Sequence, residues 1–76
     1  MIKEHERVIL AVDLPAERLC AGDIGTIIHI HQGGAGYTVE FITLDGETLA
    51  VVTLRADQIK PIHKHQVANA RDLANA

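Results

Sequence analysis

Residues 37–54 read YTVEFITLDGETLAVVTL. Two β-branched, alternating runs flank an Asp-Gly pair, and that arrangement predicts a β-hairpin. Successive side chains of a strand point to opposite faces. In the first run, residues 37–44, Tyr37, Val39 and Phe41 therefore share one face and Thr38, Glu40 and Ile42 the other. Asp45-Gly46 suits a two-residue type I′ loop, which needs positive φ at both positions. In the second run, residues 47–54, Leu49, Val51 and Thr53 alternate with Ala50, Val52 and Leu54, so both faces are largely apolar.

Upstream of the hairpin, Ala21-Gly22-Asp23 is a turn signal and Gly25 opens a strand over residues 26–31, TIIHIH. A glycine at a strand's start marks a kink or a close backbone approach. Residues 32–36, QGGAG, form a permissive connection to the hairpin. The first strand is residues 7–12, RVILAV, with Val8, Leu10 and Val12 on one face. Pro15 ends it, and a loop of about ten residues follows, long for a hairpin, in which residues 15–19 suit one helical turn. Downstream, residues 55–58 suit a 3₁₀ turn. Residues 59–62, IKPI, make a short fifth strand that Pro61 confines to an edge.

The order is strand, long loop, strand, short loop, strand, tight hairpin, strand, 3₁₀ turn, short strand. It predicts an all-β fold, a five-stranded Src-homology-3-like (SH3-like) barrel over residues 1–62, because half-buried strands need a second layer and five short ones supply it by curling. An oligonucleotide/oligosaccharide-binding barrel is the alternative, but it carries a helix where this chain has only Asp45-Gly46. Val8, Leu10, Ile28, Ile30, Val39, Phe41, Leu49 and Val51 are the expected core, with Ile27 and Ile42 outward. Gly22, Gly25, Asp45 and Gly46 set the backbone. Residues 63–76, HKHQVANARDLANA, form a tail read as disordered, or helical when docked.

The 76 residues allow one domain, and a core of that size benefits from a partner subunit. The single cysteine, Cys20, makes no internal disulfide, which points to a reducing cytoplasm. It reads as a small hydrophobe, not a nucleophile. The charged start, MIKEHER, precedes no apolar h-region, so no signal peptide is expected. No apolar run approaches the roughly 20 residues that span a bilayer. Net charge is −3 and the seven basic residues are scattered, without the basic stripe that phosphate contact needs. Only Tyr37 and Phe41 are aromatic. That is too few for a peptide groove or for base stacking.

His29 and His31, and again His63 and His65, have the period-two spacing with which a strand face could hold zinc or copper. Both pairs lack an evident third ligand, and a polar exposed face accounts for the first equally well. Residues 33–36, GGAG, lack the Lys-Ser/Thr and helix of a phosphate loop. The carboxylates are explained by turns and solvated faces. No cofactor and no catalytic residue is expected.

One long string, GDIGTI at 22–27, GYTVEF at 36–41, DGETLAVVTL at 45–54 and ADQI at 56–59, resembles the bacterial family known as domain of unknown function 4926. The likeness covers about residues 1–62. It implies a small free-standing SH3-like barrel in a bacterial cytoplasm, from genes near those of other short proteins, as in toxin–antitoxin or immunity pairs. It brings over no catalytic or ligand residues. Residues 19–27 also resemble the KOW motif of ribosomal and transcription-elongation barrels, without its basic residues. The expected function is a non-catalytic protein–protein interaction module, pairing with itself or with a small partner. A KOW-like nucleic-acid contact and a histidine-based metal or small-ligand site are the alternatives.

Overall fold

The computed structural model describes residues 2–73. The protein is all-β, with strands β1 (Arg7–Leu10), β2 (Ile24–His31), β3 (Gly36–Ile42), β4 (Thr48–Leu54) and β5 (Ile59–Pro61). Two 3₁₀ turns, Pro15–Glu17 and Ala56–Gln58, lie in the loops where the sequence suggests them. The strands form one antiparallel sheet in the order β4-β3-β2-β1-β5. No ladder joins β4 to β5, so the expected closed barrel is corrected to an open sheet. Among the described residues, no helix is long and apolar enough to cross a membrane.

The open sheet is nevertheless strongly curled. Its two edges, β4 and β5, are joined by residues 55–58 alone. A flat sheet would hold edges four steps apart by about 19 Å. A link with a 3₁₀ centre, rising about 2 Å per residue, spans roughly 15 Å at most. Curling brings one face of every strand around a single core: Val8 and Leu10 of β1, Ile27 of β2, Tyr37, Val39 and Phe41 of β3, Ala50 and Leu54 of β4, and Ile59 of β5. Leu19, from the long loop, closes it. That loop folds back on itself, with Leu14 and Leu19 exchanging both backbone hydrogen bonds at 2.9 and 3.1 Å.

Two β-bulges correct the expected faces. In β2, Ile27 pairs with Val39 and His29 with Thr38, leaving Ile28 as the extra residue. Ile27 is thereby fully buried and Ile28 is 40% exposed, the reverse of the alternation expected. Ile30, beyond the bulge, packs half-buried against the core. In β4, Phe41 pairs with Ala50 and Ile42 with Thr48, so Leu49 is the extra residue and is half-buried. Ala50, Val52 and Leu54 face inward; Val51, opposite Glu40, is 51% exposed and is not a core residue.

The Asp-Gly hairpin is one residue longer than a type I′ turn. Thr43 N–H donates to the Glu47 carbonyl at 2.8 Å, and Gly46 N–H donates to the Thr43 carbonyl at 2.9 Å. The loop is therefore residues 44–46, and of Asp45 and Gly46 only the glycine has positive φ, +93°. The Thr43 hydroxyl donates to the Asp45 carboxylate and accepts from Glu47 N–H. This side-chain brace holds the turn while glycine alone takes the left-handed position. The bulge at Leu49 absorbs the extra loop residue, so that Phe41 still meets Ala50 in the register a two-residue loop would give.

Candidate functional site

The two sheet edges differ. β5 has three residues, among them Lys60 and Pro61, a charge and a missing donor that both discourage further pairing. β4 has seven residues, TLAVVTL, with no charge and no proline. One side of β4 bonds β3, and among the described residues no ladder uses the other. Its alternate N–H and C=O groups therefore point away from the sheet, and four of its residues are β-branched, which keeps the backbone extended.

The outer face of the sheet, opposite the core, is partly apolar. Lys60 pairs with Ile9, and Ile9 with Ile24. The β2–β3 register, continued by two pairs beyond Thr26 and Glu40, sets Ile42 beside Ile24. Ile24 and Ile42 are 40% and 55% exposed. Across the same region runs the C-terminal segment, which the sequence reads as disordered or helical when docked. Residues 66–73 contain neither helix nor strand. Arg71 docks them: Nε donates to Asp23 Oδ1 at 2.8 Å, and Nη2 to Oδ2 at 2.6 Å. Nη2 also donates to the Arg18 carbonyl at 3.0 Å. Asp23 Oδ2 accepts from Cys20 N–H at 2.8 Å as well. Burial alone would raise the Asp23 pKa. The Arg71 hydrogen bond, the Cys20 N–H and the Arg71 charge outweigh it and hold the carboxyl below its ordinary value. Between this segment and the sheet lies a groove of about 1080 Å³, floored by Ile9, Ile24, Ile42, Leu49 and Ile62.

His29 and His31 share the outer face, with ring centroids 4.4 Å apart, edge to face. His31 Nε2 is hydrogen-bonded to the Thr38 hydroxyl at 2.6 Å, which in turn meets Thr53 at 3.2 Å. His29 Nδ1 stands 3.7 Å from a Glu4 carboxylate oxygen. His63 and His65 lie in a turn closed by the Gln66 side chain, not on a strand, so their spacing sets no common face. Among the described residues, no three His, Cys, Asp or Glu side chains gather to hold a metal ion. Cys20 is exposed, not packed as a small hydrophobe; its neighbour Leu19 takes the buried position. Gly22 and Gly46 stand at positive φ in turns, and Gly25 is buried in β2.

The model of the family described as domain of unknown function (DUF4926) matches residues 4–61. The chain belongs to this family. Within the DUF4926 match lie all five strands, the open β4 edge and Asp23. Arg71 and the rest of the docked segment lie beyond it. No match was found among curated proteins or among solved structures.

The sequence singles out neither the edge nor the clasp. Leu49 to Leu54 is legible as apolar on both faces, but which strand is the edge depends on topology. Asp23 and Arg71 stand 48 residues apart, and no local pattern links them.

Proposed function

We propose that this DUF4926 chain is a non-catalytic protein–protein interaction module that works by strand addition at β4. The observation that carries this reading is the contrast between the edges: β5 is short and blunted, whereas β4 presents seven uncharged residues and unused backbone groups. Such an edge is a template for another strand. A second copy of the chain is the occupant best suited to it. Antiparallel pairing across a two-fold axis sets β4 against itself, and like charges opposite one another would repel. β4 has none. An axis at Val51 would place that residue opposite its own copy and join two sheets into one of ten strands. A small partner protein that supplies its own edge strand is the antitoxin- or immunity-like form of the same reading.

The test is light scattering of wild type and Val51→Lys over a wide concentration range. Val51 is half exposed, so lysine there leaves the core intact, yet it guards the edge and opposes itself across a two-fold axis. The expected result is a wild-type mass rising from 8.2 kDa toward twice that value, with Val51→Lys remaining monomeric. A wild type that stays monomeric at millimolar concentration and captures no partner from its host overturns the reading.

A further inference from the structure

We propose that the groove on the outer sheet face is a binding site for an extended segment carrying an arginine, and that residues 66–73 are its resident occupant in cis. This site is separate from the β4 edge and rests on different observations. Asp23 stands at the start of β2 beside Ile24, at one end of the groove, and its carboxylate presents both oxygens to a guanidinium in a two-point pairing. Such pairing is geometrically selective for arginine, because a lysine offers only a point charge. The Arg18 carbonyl supplies a third acceptor for the same guanidinium. Arg18 itself is held at φ +61° behind the 3₁₀ turn, so the two acceptors are presented by a folded loop and a strand start.

The occupant is attached lightly. No strand ladder joins residues 66–73 to the sheet. Val67 is 93% exposed, although the apolar floor lies beneath the segment. Ile24, Ile42 and Ile62 remain 40–55% exposed under it. The segment thus uses the arginine site fully and the apolar floor only in part, which leaves room for a segment with larger apolar side chains beside its arginine to displace it. Tethering gives the resident segment an effective concentration on the order of millimolar, so it masks the site against weak ligands and yields to a better one.

The experiment uses the full chain with Arg71→Ala, which frees the site. Arg71 touches only Asp23 and the Arg18 carbonyl among its polar partners, so the variant keeps its core. The probe is a fluorescein-labelled peptide of sequence QVANARDL, residues 66–73, followed by anisotropy. Expected is saturable binding to Arg71→Ala, at least about tenfold tighter than to wild type, where the resident segment competes. Binding should disappear when the peptide's arginine is replaced by alanine, and when Asp23→Asn is added to the protein. Asparagine keeps an acceptor for Cys20 N–H, so a folded circular-dichroism spectrum is expected for both variants. A folded Arg71→Ala that binds no peptide overturns the proposal, as does equal binding of the alanine peptide. A wild-type dimer that Asp23→Asn converts to monomer, and Val51→Lys does not, would show the segment seated on a second copy and overturn occupancy in cis.

Discussion

Gly25 lies against the ring of Phe41 in the neighbouring strand. A Cβ at position 25 would stand 2.5 Å from Val39 Cγ1 and 2.8 Å from Phe41 Cε1, closer than side-chain carbons pack. The glycine is therefore required by space: Val39 and Phe41 of β3 close over bare backbone. Gly25→Ala should destabilise the fold by about 1–3 kcal/mol, the usual cost of overpacking. Phe41→Leu should recover part of that loss by shortening the ring, so the two changes will not add. Chemical denaturation of the single and double variants checks both statements. Additive losses would mean that the ring does not lie over position 25. The sequence makes Gly25 legible as a point of close approach, because glycine opens an otherwise β-branched run. What approaches it becomes visible only once β2 and β3 are in register.

At the scale of the element, strand identity is legible and strand facing is not. Five runs separated by Gly-, Pro- and Asp-bearing turns give the right number and order of strands, because each run is β-branched and each break has a backbone reason. Facing depends on an unbroken period of two, and two bulges break it. Ile27 and Ile28 are adjacent and chemically identical, so composition cannot tell which turns inward; Val39, which pairs with Ile27, decides it. The same holds for Leu49 to Leu54, apolar on both faces, where Phe41 against Ala50 sets the inward row. Ile27→Ala should then cost about 2–5 kcal/mol, as a buried truncation does, while Ile28→Ala should change stability by no more than about 0.5 kcal/mol. Thermal or denaturant melts of this pair read the β2 bulge directly. Equal losses would place both residues against the core and remove the bulge.

The whole molecule is one curled sheet with a segment clasped across its back. The clasp is not legible because the weak apolar periodicity of residues 63–76 suggests a helix and not an arginine anchor, and Asp23 is an ordinary turn residue until Arg71 reaches it. Its pH dependence has a definite sign. Asp23 titrates below its ordinary value of 3.8 in the folded protein, so the clasp's contribution is complete above about pH 4 and is lost as pH falls through the lower folded value. Arg71 stays charged throughout. The NMR shift of the Arg71 Nε–H group, which donates to Asp23, should be level from pH 7 to pH 5 and should move toward that of a free arginine under acid. Asp23→Asn should remove that acid step, and high salt should weaken the clasp, since both side chains retain some exposure. The open β4 edge is the other whole-molecule feature, because it exists only when the sheet fails to close. Residue-resolved hydrogen exchange at low and high protein concentration tests it most directly. Alternate β4 amides, those not bonded to β3, should exchange rapidly in dilute solution and gain protection as concentration rises, with β5 unchanged. Protection that never changes in β4, or that appears at β5 instead, would contradict it.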